Sequence, residues 1–169
     1  MTIQNIKEGL DLDLVYPPFL ERLLALLAAC NDRGASYLAY ELNRSYDRSA
    51  ALARAYAAGG PRAAGPGKSN HNFGLAADCA LIISPSPKRV LRWDPDDFLI
   101  LEEEAPKVGL KTGKAYGDRP HVEWPGFISA RDLDPLDLIY RKTPGTPLLK
   151  LKEVWKAVDA AAPNLPVLP

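Results

Sequence analysis

The sequence predicts a single domain that mixes helices with short strands. Three observations carry that reading. The chain has 169 residues, enough for one sizeable core. Some stretches repeat apolar residues at helical spacing, as do Leu20, Leu23, Leu24 and Leu27. Others, at 36–42 and 75–83, are apolar or aromatic runs of strand length. No internal repeat and no second domain stand out. The whole of 1–169 is therefore read as one domain, with a core over about 17–128 and a C-terminal helical extension over about 129–169.

Residues 1–16 form a lead-in, and Pro17 and Pro18 open the first helix, where fixed φ and missing N–H groups do no harm. That helix ends within 31–34, and the first strand covers 36–42. Ser45 is a good N-cap for a second helix, with Asp47 in its first turn and Gly59-Gly60 as its stop. Residues 59–70, rich in Gly, Pro and Ala, read as a loop. The strand at 75–83 lets Asp78 face one way and Cys79 the other. Residues 84–92, with Pro85 and Pro87, read as a surface loop. Asp94-Pro95-Asp96-Asp97 marks a helix start, and Pro106 and Gly109 end that helix. Its acidic run Glu102–Glu103–Glu104 reads as a solvated face. Residues 111–118 are turn-rich and 121–124 form a short strand. Helical pieces follow in 125–142, and a last amphipathic helix at 148–162 packs through Trp155.

Composition excludes several classes. Lys plus Arg and Asp plus Glu number 21 each, so there is no basic excess for nucleic acid. Cys30 and Cys79 are too few for a disulfide framework and read as small buried hydrophobes. No apolar run approaches the roughly 20 residues that span a bilayer, so membrane insertion is not expected. The N-terminus lacks a basic segment followed by an apolar one, so synthesis in the cytoplasm without a signal peptide is expected. A monomer is expected. Gly67-Lys68-Ser69 echoes the end of a phosphate-binding loop, but Arg62 stands where that motif needs Gly, and a helix precedes it rather than a strand.

The chemistry gathers around the two histidines. His71 lies in Ser69-Asn70-His71-Asn72-Phe73-Gly74-Leu75-Ala76-Ala77-Asp78, and His121 in Asp118-Arg119-Pro120-His121-Val122-Glu123-Trp124. Two His and one Asp suit Zn²⁺ and leave a coordination position open. There is no His-Glu-x-x-His helix. Spacing alone leaves ordinary hydrogen-bonded histidines as the alternative. Trp124 and Phe73 read as core or cleft wall.

The pattern Ser69-x-His71-x-x-Gly74-x-Ala76-x-Asp78, followed by Asp118-x-Pro120-His121-x-Glu123, resembles the M15 family of zinc peptidases. The likeness runs over roughly residues 20–125. It implies an α+β fold, with a small antiparallel sheet carrying the zinc ligands and helices flanking it. It implies Zn²⁺ on His71, Asp78 and His121, and the peptide stems of bacterial peptidoglycan as substrate. Asp118 matches the family's general base, which takes a proton from the attacking water and hands it to the leaving amine. Arg44 resembles the arginine that holds the scissile carbonyl. Ser69 steadies the His71 segment or touches substrate. Glu123, two residues from His121 and on the same strand face, is a rival base or an orienting group. The chain departs from the family at Asn43, Ser49 and Val122, where Gly, Gln and an aromatic are common.

The expected activity is cleavage of the L-Ala–D-Glu bond by a phage-type endolysin. Such an enzyme can wait in the cytoplasm until a membrane pore releases it to the wall. A D-Ala-D-Ala carboxypeptidase or dipeptidase is the first alternative. A catalytically inactive, metal-bearing wall-binding or virion module is the second. With no net charge, strong electrostatic steering to an anionic wall is not expected.

Overall fold

The computed structural model describes residues 5–84, 89–127 and 129–168. Helix α1 spans Pro17–Asp32, with proline in its first turn as predicted. Its inner face is Phe19, Leu23, Leu26, Leu27 and Cys30, each nearly or wholly buried. The predicted face is rotated: Leu20 and Leu24 lie on its flank and are only partly buried. A run this rich in leucine offers several possible stripes, and packing against the sheet selects one. Each fully buried leucine on that face contributes about 1.5–3 kcal/mol. Helix α2, Tyr46–Ala57, starts at Ser45, whose hydroxyl accepts the Arg48 backbone N–H.

Among the described residues five strands form an antiparallel open sheet: β1 (Tyr37–Glu41), β2 (Ala76–Ser84), β3 (Val90–Arg92), β4 (Lys111–Gly113) and β5 (Asp118–Glu123). The order is β1-β2-β5-β4, and β3 continues the edge of β2 that β5 leaves. The architecture is α+β, with helices flanking the sheet. Two of these strands lie in segments predicted as loop or turn. Residues 90–92 and 111–113 are too short to show alternation, and pairing with long neighbours makes them strands. The Pro85–Pro87 part of the predicted loop lies outside the described residues. The N-terminal segment also joins the sheet. Ala39 N–H donates to the Asn5 carbonyl (2.7 Å), and Lys7 N–H donates to the Ala39 carbonyl (2.9 Å).

Period-two alternation divides the sheet. Ala77, Cys79 and Val122 face the core, all wholly buried with Phe98 and Leu101. Both cysteines are free and buried, as expected. The opposite face carries Asp78 directly across from His121, and Ala76 across from Glu123. Directly paired residues in antiparallel strands project to the same side. This register therefore brings Asp78, His121 and Glu123 together.

Helix α3, Leu99–Glu104, follows a short 3₁₀ turn at Pro95–Phe98 and is closed by Gly109. Asp97 accepts the Asp94 backbone N–H at its start (3.0 Å). The acidic run is not the solvated face predicted. Of the three only Glu103 is exposed; Glu102 and Glu104 are buried in ion pairs. Helices α4 (Asp134–Lys142) and α5 (Pro147–Ala160) form a hairpin. Trp155 of α5 is buried and donates from its indole N–H to the Phe73 carbonyl (2.8 Å). Tyr140 of α4 stacks on Tyr46 at 4.4 Å. The C-terminal helices thus brace the segment that holds His71. Among the described residues no helix is long and apolar enough to cross a membrane.

Candidate metal centre

His71 sits on a single 3₁₀ turn, Asn70–Phe73, rather than on a loop. Ser69 caps the turn: its hydroxyl accepts the His71 backbone N–H (3.4 Å). Gly74 ends it with φ 67°, a conformation that favours glycine. A Cβ there would lie 2.2 Å from the Leu14 carbonyl oxygen. Gly74 therefore serves close packing against the N-terminal segment. The carbonyl of His71 accepts from the backbone N–H of Arg44 (2.9 Å) and the side chain of Asn43 (3.3 Å). These bonds fix the turn against the end of β1.

Three ligand atoms converge from the turn, β2 and β5. His71 Nε2 lies 3.2 Å from both Asp78 Oδ1 and His121 Nδ1. His121 Nδ1 lies 3.0 Å from Asp78 Oδ1. The outer nitrogens set the tautomers. His71 Nδ1 meets the Leu42 carbonyl at 2.7 Å, which only an N–H can satisfy. His121 Nε2 meets the Glu123 carboxylate at 3.0 Å, and so carries a proton too. In the neutral rings the inner nitrogens then present lone pairs to each other and to a carboxylate oxygen. Three electron donors facing one point call for a cation.

The size of the triangle fits. With edges near these distances, its corners lie about 1.8 Å from the centre, inside the roughly 2.0–2.2 Å reach of zinc to nitrogen and oxygen ligands. His71, Asp78 and His121 would hold such an ion and, as three ligands, would leave a coordination position open. This cluster could hold a metal, and among the described residues no other group of three or more His, Cys, Asp or Glu converges so.

The electrostatics express the same demand. Burial opposes the charge on Asp78, but the His71 and His121 rings outweigh it and hold the carboxyl far below its ordinary range. Burial likewise works against a charged His121, yet Asp78 and Glu123 raise its pKa to about 9. A proton answers one edge of the triangle, whereas a divalent cation answers all three. Of His71 and Asp78, His71 is the more deeply buried: its side chain is 2% exposed and that of Asp78 is 21%.

The other predicted site residues surround this triangle. Asp118 opens β5 and is exposed. Partial withdrawal of its carboxyl from water, then the charge of Asp78, raise its pKa against the pull of His121, His71 and Arg44. Gly113 faces it across the strand pair; a Cβ there would lie 2.1 Å from the Asp118 carbonyl oxygen. Arg44 binds Glu41 through Nη2, which also comes within 3.7 Å of Asp78 Oδ2. Its Nε is buried without an acceptor among the described residues. Glu123 lies behind His121, where the same oxygen also accepts from Asn70 Nδ2 at 2.7 Å.

The residues that depart from the family pattern have internal partners. Asn43 holds the His71 carbonyl, Ser49 accepts from Asn72 (2.8 Å), and Val122 is core. Phe73 and Trp124 are core residues as well. The Gly67-Lys68 fragment is engaged internally: Gly67 N–H donates to Asn72 Oδ1 (3.0 Å), and Lys68 pairs with Asp134.

Two contributors escaped the sequence reading. Asn70 ends the 59–70 stretch that reads as a loop, although it is next to His71. Tyr116 falls in the turn-rich 111–118 stretch, and its ring lies 6.1 Å from that of His121. Burial, then the charges of Glu123, Asp118 and Asp78, push its phenol well above its ordinary value. Its position two residues before Asp118 was the available signal.

No protein-family model matches the chain, and no curated protein matches it. Among solved structures it is similar to the Serratia marcescens L-Ala D-Glu endopeptidase ChiX, at 24% identity and a TM-score of 0.46. The likeness covers 67% of this chain and 82% of that one. At that level it carries no weight for activity or substrate.

Proposed function

We propose that this protein is a zinc-dependent peptidase that hydrolyses the peptide stems of bacterial peptidoglycan, at the L-Ala–D-Glu bond. The observation that carries the reading is the convergence of His71 Nε2, His121 Nδ1 and Asp78 Oδ1 within hydrogen-bonding distance of one another. Both imidazoles are fixed from behind, and the three belong to the motif that resembles the M15 peptidases. The donor set, two imidazoles and one carboxylate, suits zinc with a position left open.

His71, Asp78 and His121 would hold the ion. When bound, zinc supplies Lewis acidity, which polarises a carbonyl and acidifies water. The protein's own groups do the rest. Asp118 takes a proton from the attacking water and delivers it to the leaving amine; its raised pKa makes it the stronger base for the first transfer. Arg44 holds the carbonyl oxygen as negative charge develops there. Glu123 and the Leu42 carbonyl keep the two rings in the tautomers that face inward. Ser69 steadies the His71 turn.

Digestion of purified peptidoglycan by the zinc-loaded protein tests the reading. New D-Glu amino termini are expected. Release of D-Ala alone would replace the proposed bond with the D-Ala-D-Ala terminus. An Asp118→Asn variant should retain zinc and lose about a hundred- to ten-thousand-fold in kcat. Undiminished turnover would remove Asp118 from the role of base. Absence of any hydrolysis by the zinc-loaded wild type would favour a non-catalytic, metal-bearing wall module.

A further inference from the structure

A cleft of about 370 Å³ opens beside Asp78, and none of its other walls belongs to the ligand triangle. Two aromatic rings form one side. Tyr40 and Trp93 meet edge to face at 5.6 Å and 86°, and both remain about two-fifths exposed. Tyr40 is thrown outward by the irregularity between Ala39 and Glu41 in β1. Trp93 follows β3 directly. Exposed aromatic pairs beside a candidate catalytic centre are contact surface rather than core.

The same cleft carries two cations, Lys7 and Arg48. Lys7 is brought there by the N-terminal segment's bonds to β1, and its ammonium lies 3.7 Å from the centre of the Tyr40 ring. Arg48 stands exposed in the first turn of α2. Neither has an ion-pair partner among the described residues. The cleft also contains Glu41, but that carboxylate is taken by Arg44. What is left unanswered on the walls is positive charge over an aromatic floor.

We infer that this cleft is a substrate subsite for a carboxylate, with Lys7 and Arg48 as its cationic partners and the Tyr40–Trp93 pair holding the adjoining peptide. The assignment rests on the proposed peptidase reading and deepens it. Cleavage before D-Glu, in a stem that continues through the side-chain carboxyl, leaves the α-carboxylate of that residue free and close to the scissile bond. A carboxylate at that point meets the two cations on the Asp78 side of the centre.

The test uses two soluble stem peptides, one with that carboxylate free and one with it converted to carboxamide. Hydrolysis by the zinc-loaded protein and quenching of Trp93 fluorescence are both read; Trp124 and Trp155 are buried. The wild type should favour the carboxylate peptide by about tenfold or more in kcat/KM, with the same preference in binding. In Lys7→Gln/Arg48→Gln the preference should fall to within about twofold, and retained zinc reports that the variant is folded. Equal treatment of the two peptides by the wild type overturns the subsite and leaves the peptidase reading standing. So does an undiminished preference in the double variant. If neither peptide is cut but the carboxylate form binds more tightly to the wild type alone, the subsite stands and the reaction falls. If neither is cut and neither binds, both fall.

Discussion

Glu102 and Glu104 on α3, and Asp78 and Glu123 on the sheet, are all largely withdrawn from water, but different groups face them. Glu102 receives Arg119 at 2.7 Å and Lys114 at 3.0 Å; Glu104 receives Arg33 at 2.6 Å and Lys107 at 2.7 Å. There the chain supplies its own counter-charges, and the acids have no work left to do. Asp78 instead faces two imidazole nitrogens whose other sides are already committed to Leu42 and Glu123. A buried carboxylate needs positive charge near it. At α3 that charge is covalently part of the protein; at the triangle Arg44 reaches only the outer oxygen of Asp78, at 3.7 Å, and the charge that answers the inner oxygen and the two ring nitrogens must arrive as a proton or a metal ion. A cluster of acids is thus weak evidence of a metal site, whereas converging lone pairs are strong evidence.

The largest effect should come from removing the ion. Zinc at a thousandfold excess over its dissociation constant stabilises the fold by about 4 kcal/mol. For a domain of this length that is roughly 10 °C in Tm. Calorimetry with and without chelator should show this drop together with loss of activity, and Asp78→Asn should show neither zinc nor response to chelator. Unchanged melting in a protein that elemental analysis finds metal-free would put the triangle in the same class as the α3 acids.

A smaller effect should follow from Glu123→Gln. Glu123 accepts the outer N–H of His121 and so orients the ring and makes its inner nitrogen more basic. The amide oxygen can still accept that N–H but brings no charge. Zinc affinity should fall about 10- to 100-fold while the ion remains bindable. Competition against a chromogenic chelator measures it. No change in affinity would mean that Glu123 serves only to anchor Asn70.

The candidate site, as a cluster of converging side chains, was more legible in the sequence than the frame that holds it. His71, Asp78 and His121 could be named because the chain has only two histidines and each lies in a motif with its own spacing. The strand at Asp78 and the capped start of α2 are local signals, and both appear where predicted. Strands β3 and β4 were not legible, because three residues carry no period and their pairing is decided by distant neighbours. The burial of Glu102 was hidden for a related reason. Its partner Arg119 is 17 residues away, and nothing local marks the two as a pair. Lys7 reached its cleft through a strand-like contact with β1 that the lead-in segment does not advertise.

The smallest effect tests the other half of the comparison. The hydrogen bond from Arg119 holds the Glu102 carboxyl below the usual glutamate range; burial pushes it up, and Lys114 helps to lower it. A carboxyl whose pKa is lower folded than unfolded contributes stability that is complete above the unfolded value, about 4.3, and disappears as pH falls through the folded value. The Lys114 side chain is 62% exposed, so most of the contribution belongs to Arg119, which is 24% exposed. Glu102→Gln should therefore cost about 1–2 kcal/mol at neutral pH. Urea unfolding at pH 7 and again near pH 3 should show that difference shrinking toward zero. Zinc loading should leave it unaltered at pH 7, because the charge that answers Glu102 comes from the chain itself. A difference that persisted undiminished in acid would show that Gln disrupts packing on α3 rather than removing a charge. The separation between internally answered acids and the triangle would then rest on the metal measurements alone.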